Sequence, residues 1–489
     1  MFTLIGLFIF PFLASGVMFI LPTMSAKNLK RLAFAISLLP LAALLYGHSH
    51  WLGAEINYAW LPALSIHFHL RVDSLSLFFL YLTALIIPIS LLAVRHHHLL
   101  FPSVFYGLVF LLQGLLIGFF TAQDLAVFTF FWEAILIPLY FLINLWGGPQ
   151  RQLASLKFLI YMIAGSTLMV IAVLALYFAA ASIQGTGTFN LDRLASISDT
   201  LPHGAWLCAI FLLAFAVKTP LFPFHAWLPD TYYQASTPGT ILLAALLSKA
   251  GIYGFLRIGL ELFPTLMLAW SPLLLGLAIT GAFYGGLAAW MQKDFKRLIA
   301  YSSFSHVNFI LAGIFAANQV AHTGAILQVF NHSITITGLF LTIGWLAERL
   351  GTTSISYASG LAKFLPKLCW LTLVFALASI ALPSTSNFVG ELLILFGLFD
   401  ENRWVAAFLG LTIILSAIYM LRWIQKVYFE VPSPYQERWH DITKKEIAVA
   451  LPLIALIFWI GIYPVPLLEQ IRPKESMGDT KLSKLEFSK

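Results

Sequence analysis

Cysteine and charged residues are both scarce in this sequence. Its 489 residues include two cysteines, Cys208 and Cys369, and charged side chains make up 10% of the chain. Each cysteine stands alone in an apolar run, which leaves neither a disulfide framework nor a thiolate set for an iron–sulfur cluster. Glycine-rich nucleotide loops, nucleophile elbows and haem-attachment motifs are also missing from the sequence. We therefore expect no redox chemistry, no metal and no cofactor on this chain.

Apolar residues dominate the composition. They account for 60% of the chain and give a mean hydropathy of +0.88, which means more apolar surface than a soluble core can bury. They come in runs of about 20 residues, the length that crosses a hydrocarbon slab as an α-helix. Because the runs are long and do not alternate with polar residues, they exclude a β-barrel. The sequence thus predicts an all-α polytopic membrane protein solvated by the lipid bilayer.

Charged residues, glycine and proline divide the chain into about fourteen predicted transmembrane helices. We number these predicted spans one to fourteen, and they cover residues 1–21, 32–46, 73–94, 101–120, 124–147, 156–183, 205–229, 239–259, 264–290, 297–316, 322–347, 367–399, 404–427 and 446–469. The first span lacks a basic n-region and a small-residue cleavage site, so we interpret it as a retained helix rather than a signal peptide.

Lysine and arginine predict the orientation of the chain. The loops after even-numbered spans contain little beyond Arg71, Arg193 and Arg403. The loops after odd-numbered spans contain Lys27, Lys30, Arg31, Arg95, Arg151, Lys293, Lys296, Arg297, Arg349, Lys363, Lys426, Arg438, Lys444 and Lys445. By the positive-inside rule the odd loops face the cytoplasm, or the matrix of an organelle, and both termini lie on the outer side. A bacterial inner membrane is the expected location. The basic tail after residue 470 departs from the charge pattern, because it would lie on the outer side. Because the basic residues are scattered over short loops, we expect no nucleic-acid partner.

Two spans contain prolines that should interrupt their helices. Pro220 and Pro223 lie in the seventh span, within the segment 218–225 that ends at His225, and Pro383 lies in the twelfth, within 382–391. Proline removes a backbone donor and clashes with the preceding turn, so both helices should be discontinuous. The breaks are five spans apart, as expected for two inverted five-helix repeats over spans four to eight and nine to thirteen. We divide the chain accordingly into 1–100, 101–259, 260–427 and 428–489.

Six ionisable side chains fall near the middle of predicted spans, where a charge costs on the order of 3 kcal/mol. They are Glu133, Lys218, Lys249, His306, His332 and Glu391. One interpretation is structural: Glu133 would form a static salt bridge with Lys218 or Lys249. Because buried ion pairs often add little stability, we favour function for the lysines and glutamates. Each histidine could be either a hydrogen-bonded core residue or a proton carrier.

Proton transfer suits these residue types. Burial favours the neutral form of a lysine and a nearby carboxylate favours the charged form, so moving one relative to the other loads or unloads a proton. The helix breaks add free backbone groups and room for water. His96, His97 and His98 could suggest a metal site, but adjacent side chains point in different directions and no partner ligand is near, so we interpret them as a polar loop.

Sequence strings around the ionisable residues carry a family resemblance. The strings are Phe130-Phe131-Trp132-Glu133, Phe215-Ala216-Val217-Lys218, His225-Ala226-Trp227-Leu228-Pro229-Asp230, Leu247-Ser248-Lys249, Lys296-Arg297-Leu298-Ile299-Ala300-Tyr301-Ser302-Ser303, Ser305-His306 and Asn387-Phe388-Val389-Gly390-Glu391. From about residue 73 to the last span, the chain resembles the proton-pumping, antiporter-like subunits of respiratory complex I, the NADH-quinone oxidoreductase, and in particular its M-type subunit. Ser384 and Ser386 depart from that family, which commonly has glycine there, and so does the segment 231–238.

The resemblance implies roles for individual residues. Glu133 would pair with Lys218, and Lys249 would be the central relay lysine. His306 and His332 would be intermediate carriers and Glu391 the terminal carboxylate, where the larger L-type relatives usually have lysine. Pro220, Pro223, His225 and Pro383 would support the broken helices.

The resemblance also implies partners and cofactors. FMN, iron–sulfur clusters and quinone would be bound by other membrane and peripheral subunits, which include further antiporter-like subunits, while this chain moves protons. The alternative is a subunit of a multi-subunit cation/proton antiporter or of a membrane-bound hydrogenase, which share the fold and the Glu/Lys apparatus. A third interpretation, a purely structural scaffold, does not account for the four central glutamates and lysines.

Overall fold

A computed structural model describes residues 3–94, 99–357, 359–431 and 439–471 of the chain. The predicted polar loop at His96–His98 and the basic tail beyond residue 471 lie outside this range. The helices in chain order are α1 (Leu4–Ile20), α2 (Ala26–Tyr46), α3 (His48–Trp51), α4 (Ser74–Leu92), α5 (Pro102–Thr121), α6 (Leu125–Ala134), α7 (Leu136–Trp146), α8 (Arg151–Gln184), α9 (Leu191–Ile197), α10 (Gly204–Lys218), α11 (Trp227–Gln234), α12 (Thr237–Leu242), α13 (Ser248–Gly254), α14 (Pro264–Trp290), α15 (Phe295–Phe315), α16 (Gln319–Leu350), α17 (Pro366–Ser379), α18 (Ser386–Glu401), α19 (Arg403–Ile424), α20 (Lys444–Ile462) and α21 (Val465–Ile471).

Helix occupies every predicted span, which confirms the helical membrane fold. Within the described part of the chain, 11 helices are long and apolar enough to cross a membrane. Three shorter apolar helices, α1, α10 and α17, take the positions of the first, seventh and twelfth spans. The total of about fourteen crossings therefore stays a prediction.

Two departures from regular α-helix were not predicted. The fifth span is interrupted at Ile135, between α6 and α7. Three π-helical segments, Leu243–Leu247, Phe255–Leu260 and Gln425–Phe429, continue α12, α13 and α19. Such π-segments often mark functional sites, and the first of them directly precedes Lys249.

A β-hairpin lies between α3 and α4, in a segment that the all-α expectation left as a loop. Its strands, β1 (Glu55–Leu61) and β2 (Ile66–Arg71), pair antiparallel. The apolar and polar residues of β2 alternate, which is the pattern of a half-exposed strand. The hairpin contacts the start of α6, because the His67 amide donates to the Asp124 carboxylate at 3.0 Å.

The loops sort onto two faces of the helix bundle. Backbone hydrogen bonds join loops after odd spans to one another, at Gly148–Gln234 and Lys293–Ile355, and loops after even spans to one another, at His69–Gln123 and Leu125–Phe189. This is the arrangement that alternating crossings require. Which face is cytoplasmic stays a prediction.

The N-termini of α6 and α15 match each other five spans apart. Asp124 and Asp294 are the respective N-caps, and the Oδ1 atom of each accepts the two backbone amides that lie two and three residues further on. Each also forms an isolated β-bridge to the loop that follows the next long helix, at Asn190 and at Ser354. These two helix N-termini lie on opposite faces, as inverted repeats would place them. The repeats themselves stay a prediction.

An ion cluster joins the start of α4 to the π-helical segment that continues α13. The Arg257 guanidinium donates to Asp73 at 2.5 Å and to Glu261 at 3.1 Å. Burial alone would raise the pKa of the Asp73 carboxyl, but the charge of Arg257 and the Ser76 amide outweigh burial and hold that pKa below its ordinary value. The cluster anchors the end of this helix to the start of α4.

The orientation can be tested with single cysteines on opposite faces. We expect Lys293→Cys to react with a membrane-impermeant thiol reagent only from the cytoplasmic side, and Arg193→Cys only from the outer side. Both native side chains are exposed, Lys293 in a loop and Arg193 on the short helix α9. The native Cys208 and Cys369 are buried, so background labelling should be low. Labelling of Lys293→Cys from outside intact cells would reverse the predicted topology.

Candidate functional site

Five of the six predicted ionisable residues are buried inside the helix bundle. Lys218, Lys249, His306, His332 and Glu391 are each at most 6% exposed. Glu133 is half-buried. His306 and His332 lie in the middle of α15 and α16, whereas Lys218 is the last residue of α10 and Glu133 is next to the last of α6.

Lys249 and His332 are in direct contact across two helices. The Lys249 Nζ atom lies 2.8 Å from His332 Nδ1. It also donates to the Ala244 carbonyl at 2.6 Å and to the Ser248 hydroxyl at 3.3 Å. When Lys249 is charged, its ammonium has donors only, so His332 Nδ1 accepts in this contact and the neutral ring then has its hydrogen on Nε2.

His306 and Glu391 form the second direct contact. The His306 Nδ1 atom lies 3.1 Å from Glu391 Oε1. The same carboxylate oxygen accepts from Gln328 Nε2, also at 3.1 Å. Glu391 is thus held by α15 and α16 together, although it belongs to α18.

The two contacts lie next to each other. The ring centres of His306 and His332 are 5.8 Å apart. Within the described residues, both Nε2 atoms and the Glu391 Oε2 atom are buried and lack a protein hydrogen-bond partner. Buried polar atoms of this kind are commonly satisfied by ordered water, so the pair is suited to exchange protons. The structure therefore brings together Lys249, His332, His306 and Glu391.

Lys218 is held by a tryptophan and not by a carboxylate. Its Nζ atom lies 2.9 Å from the Trp132 carbonyl oxygen and 3.4 Å from the centre of the Trp132 ring. Glu133 is near enough to Lys218 for electrostatic interaction. No direct ion pair joins Glu133 to either lysine among the residues described, so the static salt bridge considered from the sequence is not present.

The two lysines belong to segments that touch. A Cβ atom added at Gly251, two residues after Lys249, would overlap Thr219, the neighbour of Lys218. Glycine is required at this close approach of α10 and α13. The contact links the Lys218 region to the Lys249 region through packing, without a direct side-chain hydrogen bond between the lysines.

The break in the seventh span is stabilised by Asn308, which sequence reasoning missed. Asn308 on α15 donates to the Pro220 carbonyl at 3.2 Å and accepts from the Phe222 amide at 3.4 Å. Trp227 donates to the Val217 carbonyl at 2.9 Å. Backbone groups freed by the break are therefore satisfied by side chains, as a membrane interior demands.

The break in the twelfth span has a left-handed turn. Ala381 and Ser384 have φ values of 56° and 74°. Glycine adopts this conformation without strain, whereas this chain has alanine and serine at these two positions. Asn331 on α16 donates to the Ser386 carbonyl at 2.7 Å and ties the break to α16.

His225 has a packing role in this structure. Its ring stacks on Phe304 and Phe222, with ring centres 4.5 and 5.6 Å apart, and meets Tyr284 edge-on. Pro220 and Pro223 lie between α10 and α11, and Pro383 lies between α17 and α18, as predicted. Over the described ranges, no group of three or more His, Cys, Asp or Glu side chains could hold a metal ion.

Comparisons with known proteins identify relatives of this chain. Residues 122–434 match the family described as NADH:quinone oxidoreductase/Mrp antiporter, TM. NADH-quinone oxidoreductase subunit M of Escherichia coli K12 is 36% identical over 85% of this chain and 83% of its own length. A chain of respiratory complex I from Thermus thermophilus superposes with a TM-score of 0.85 at 32% identity, covering 96% of this chain and 97% of that one. A chain of the Mrp complex from Dietzia sp. DQ12-45-1b, at 23% identity and a TM-score of 0.84 over 95% and 96% of the two chains, shares the fold alone.

The role of Asn308 can be measured as stability. Asn308→Ala should lower the free energy of unfolding by about 1–3 kcal/mol, because it leaves buried backbone groups of Pro220 and Phe222 without partners. Unfolding in mixed detergent and sodium dodecyl sulfate measures this. Thr280→Ala is the control, since Thr280 is exposed and its hydroxyl bonds only its own helix at Gly276. Equal effects of the two substitutions would contradict the assignment.

Proposed function

Since this chain belongs to the NADH:quinone oxidoreductase/Mrp antiporter membrane family, we propose that its six mid-membrane ionisable side chains form one proton path. The chain is a proton-translocating membrane subunit of the NADH-quinone oxidoreductase type. The individual residues of the path, and the direction of transfer along it, are our proposal.

The observation that supports the path best is the pair of direct contacts, Lys249 to His332 and His306 to Glu391, with the two imidazole ring centres 5.8 Å apart. The path crosses four helices, α13, α16, α15 and α18, through side chains that each can gain or lose a proton. A scaffold has no need of such a line, because apolar residues would pack the same interior at lower cost.

Each histidine would pass a proton from one ring nitrogen to the other. When Lys249 transfers a proton to His332 Nδ1, the hydrogen on Nε2 becomes free to leave towards His306. When His306 accepts on Nε2, its Nδ1 hydrogen can pass to Glu391 Oε1 at 3.1 Å. Each ring must then return to its starting tautomer before the next proton can pass.

Glu133 and Lys218 would form the loading pair of the first half. In this structure the Lys218 ammonium contacts Trp132 and does not form a direct ion pair with the Glu133 carboxylate. A change in their distance alters the free energy of protonating Lys218, which is how a remote event can load or unload this site.

Coupling and location complete the proposal. NADH oxidation and quinone reduction would take place on other membrane and peripheral subunits, which would bind FMN, iron–sulfur clusters and quinone. The membrane would be a bacterial inner membrane with both chain termini outside. The antiporter or hydrogenase alternative is less well supported, because the Mrp likeness is one of fold, whereas the matches at 32% and 36% identity are to complex I and to its subunit M.

The loading pair can be separated from a structural pair with a double mutant. We expect Glu133→Ala and Lys218→Ala each to abolish most proton translocation per NADH in membranes with normalised subunit content. Each substitution leaves the other charge isolated in the membrane. The double variant leaves neither charge unpaired in the membrane. It should therefore assemble normally but still not pump protons.

Glu133→Asp is the matched control for this pair, since it keeps the charge and shortens the side chain by one methylene. It should pump better than Glu133→Ala. A double variant that pumps like the wild type would overturn the relay role of Glu133 and Lys218.

The chain should not pump by itself. Moving one charge against 100 mV requires about 2.3 kcal/mol, and the sequence has no nucleotide or cofactor motif from which to draw this energy. Purified alone in liposomes with a pH-sensitive dye inside, the chain should at most leak protons. A proton gradient built by the isolated chain from NADH and quinone would contradict this expectation.

A further inference from the structure

Trp132 contacts the Lys218 ammonium in two ways. The Nζ atom lies over the indole face, 3.4 Å from the ring centre, and 2.9 Å from the backbone carbonyl of the same residue. Both groups are almost fully buried, Trp132 at 1% and Lys218 at 1% exposure. A cation on an indole face is held most strongly when, as here, water is excluded.

The end of a helix strengthens this site. α6 ends at Ala134, so the Trp132 carbonyl belongs to its last turn, where carbonyl groups are left for other donors. The interruption at Ile135 thus places a backbone acceptor beside the ammonium.

Ser166 on α8 fixes the indole. The Trp132 Nε1 atom donates to the Ser166 hydroxyl at 3.1 Å. Ser166 also lies beside the Glu133 carboxylate. The ring that holds Lys218 and the carboxylate that attracts it therefore share one neighbour.

We propose that Trp132 is a positioning residue that holds the charged Lys218 side chain apart from Glu133, which gives Lys218 two alternative sites within the loading pair. This inference rests on the proposed function. The indole face attracts the ammonium and not the neutral amine, so a charged Lys218 is held by the ring and the carbonyl together and a neutral one by the carbonyl alone. Loss of the proton therefore weakens the hold on the side chain, and the Trp132 site thus distinguishes the two states of the relay.

Two substitutions of similar size separate ring chemistry from space filling. Trp132→Phe and Trp132→Met both shorten the side chain, but only phenylalanine keeps an aromatic face. We expect Trp132→Met to lower the rate of proton translocation, relative to NADH oxidation, on the order of tenfold, and Trp132→Phe to retain most of it. Trp423→Phe is the control, because Trp423 is as deeply buried, packs on Phe295 and contacts no charged group of the path.

A structural readout keeps the test independent of pumping. In the assembled complex containing Trp132→Met, Lys218 Nζ should move to within about 4 Å of a Glu133 oxygen, the distance of a direct ion pair. Should this variant fail to assemble, Ser166→Ala removes the hydroxyl that orients the indole and lies beside Glu133, and it should shift Lys218 in the same direction.

The outcomes distinguish this inference from the proposed function. Equal pumping by Trp132→Phe and Trp132→Met, or an unmoved Lys218 in Trp132→Met or Ser166→Ala, overturns the role of Trp132 and leaves the relay intact. Wild-type pumping by the Glu133→Ala/Lys218→Ala double variant overturns the relay itself.

Discussion

A lysine ammonium buried without a carboxylate partner determines the arrangement around it. Lys249 is fully buried, and among the described residues its three hydrogen-bond partners are the Ala244 carbonyl, the Ser248 hydroxyl and a ring nitrogen of His332. The carbonyl comes from the π-helical segment just before it. While the lysine is charged, the imidazole must accept through an unprotonated Nδ1, which fixes the tautomer of the neutral ring in that state. One buried cation thus accounts for the use of the helical irregularity, the approach of α16 and the state of the next carrier.

The two halves of the site place acid and base in exchanged positions. In the first half the carboxylate, Glu133, lies on the helix capped by Asp124, and the base, Lys218, precedes a helix break. In the second half the base, His306, lies on the helix capped by Asp294, and the carboxylate, Glu391, follows the break. Under the proposed relay, a proton enters where an amine can hold it and ends where a carboxylate can.

Sequence reasoning could predict the helices, the breaks and the six ionisable residues, because apolar length, proline and charge at mid-membrane depth are local signals. It could not predict Trp132, Gln328 or Asn308. Buried tryptophan and amide side chains are ordinary in helices. Along the chain, Trp132 is 86 residues from its partner Lys218, and Gln328 is 63 residues from its partner Glu391. The hairpin was missed for another reason: the alternation in β2 is short and lies between two strongly apolar spans.

The breaks are held in place rather than loose, and this limits how the protein can couple to remote events. Asn308 satisfies the backbone at Pro220 and Phe222, and Asn331 satisfies Ser386. Opening either break would expose these groups to an apolar surrounding, at a cost of several kcal/mol each. Turning the Lys218 side chain from the indole face to a carboxylate breaks its hydrogen bond to the Trp132 carbonyl but no hydrogen bond between two backbone groups. The geometry therefore favours coupling through side-chain movement at Lys218 over helix unwinding.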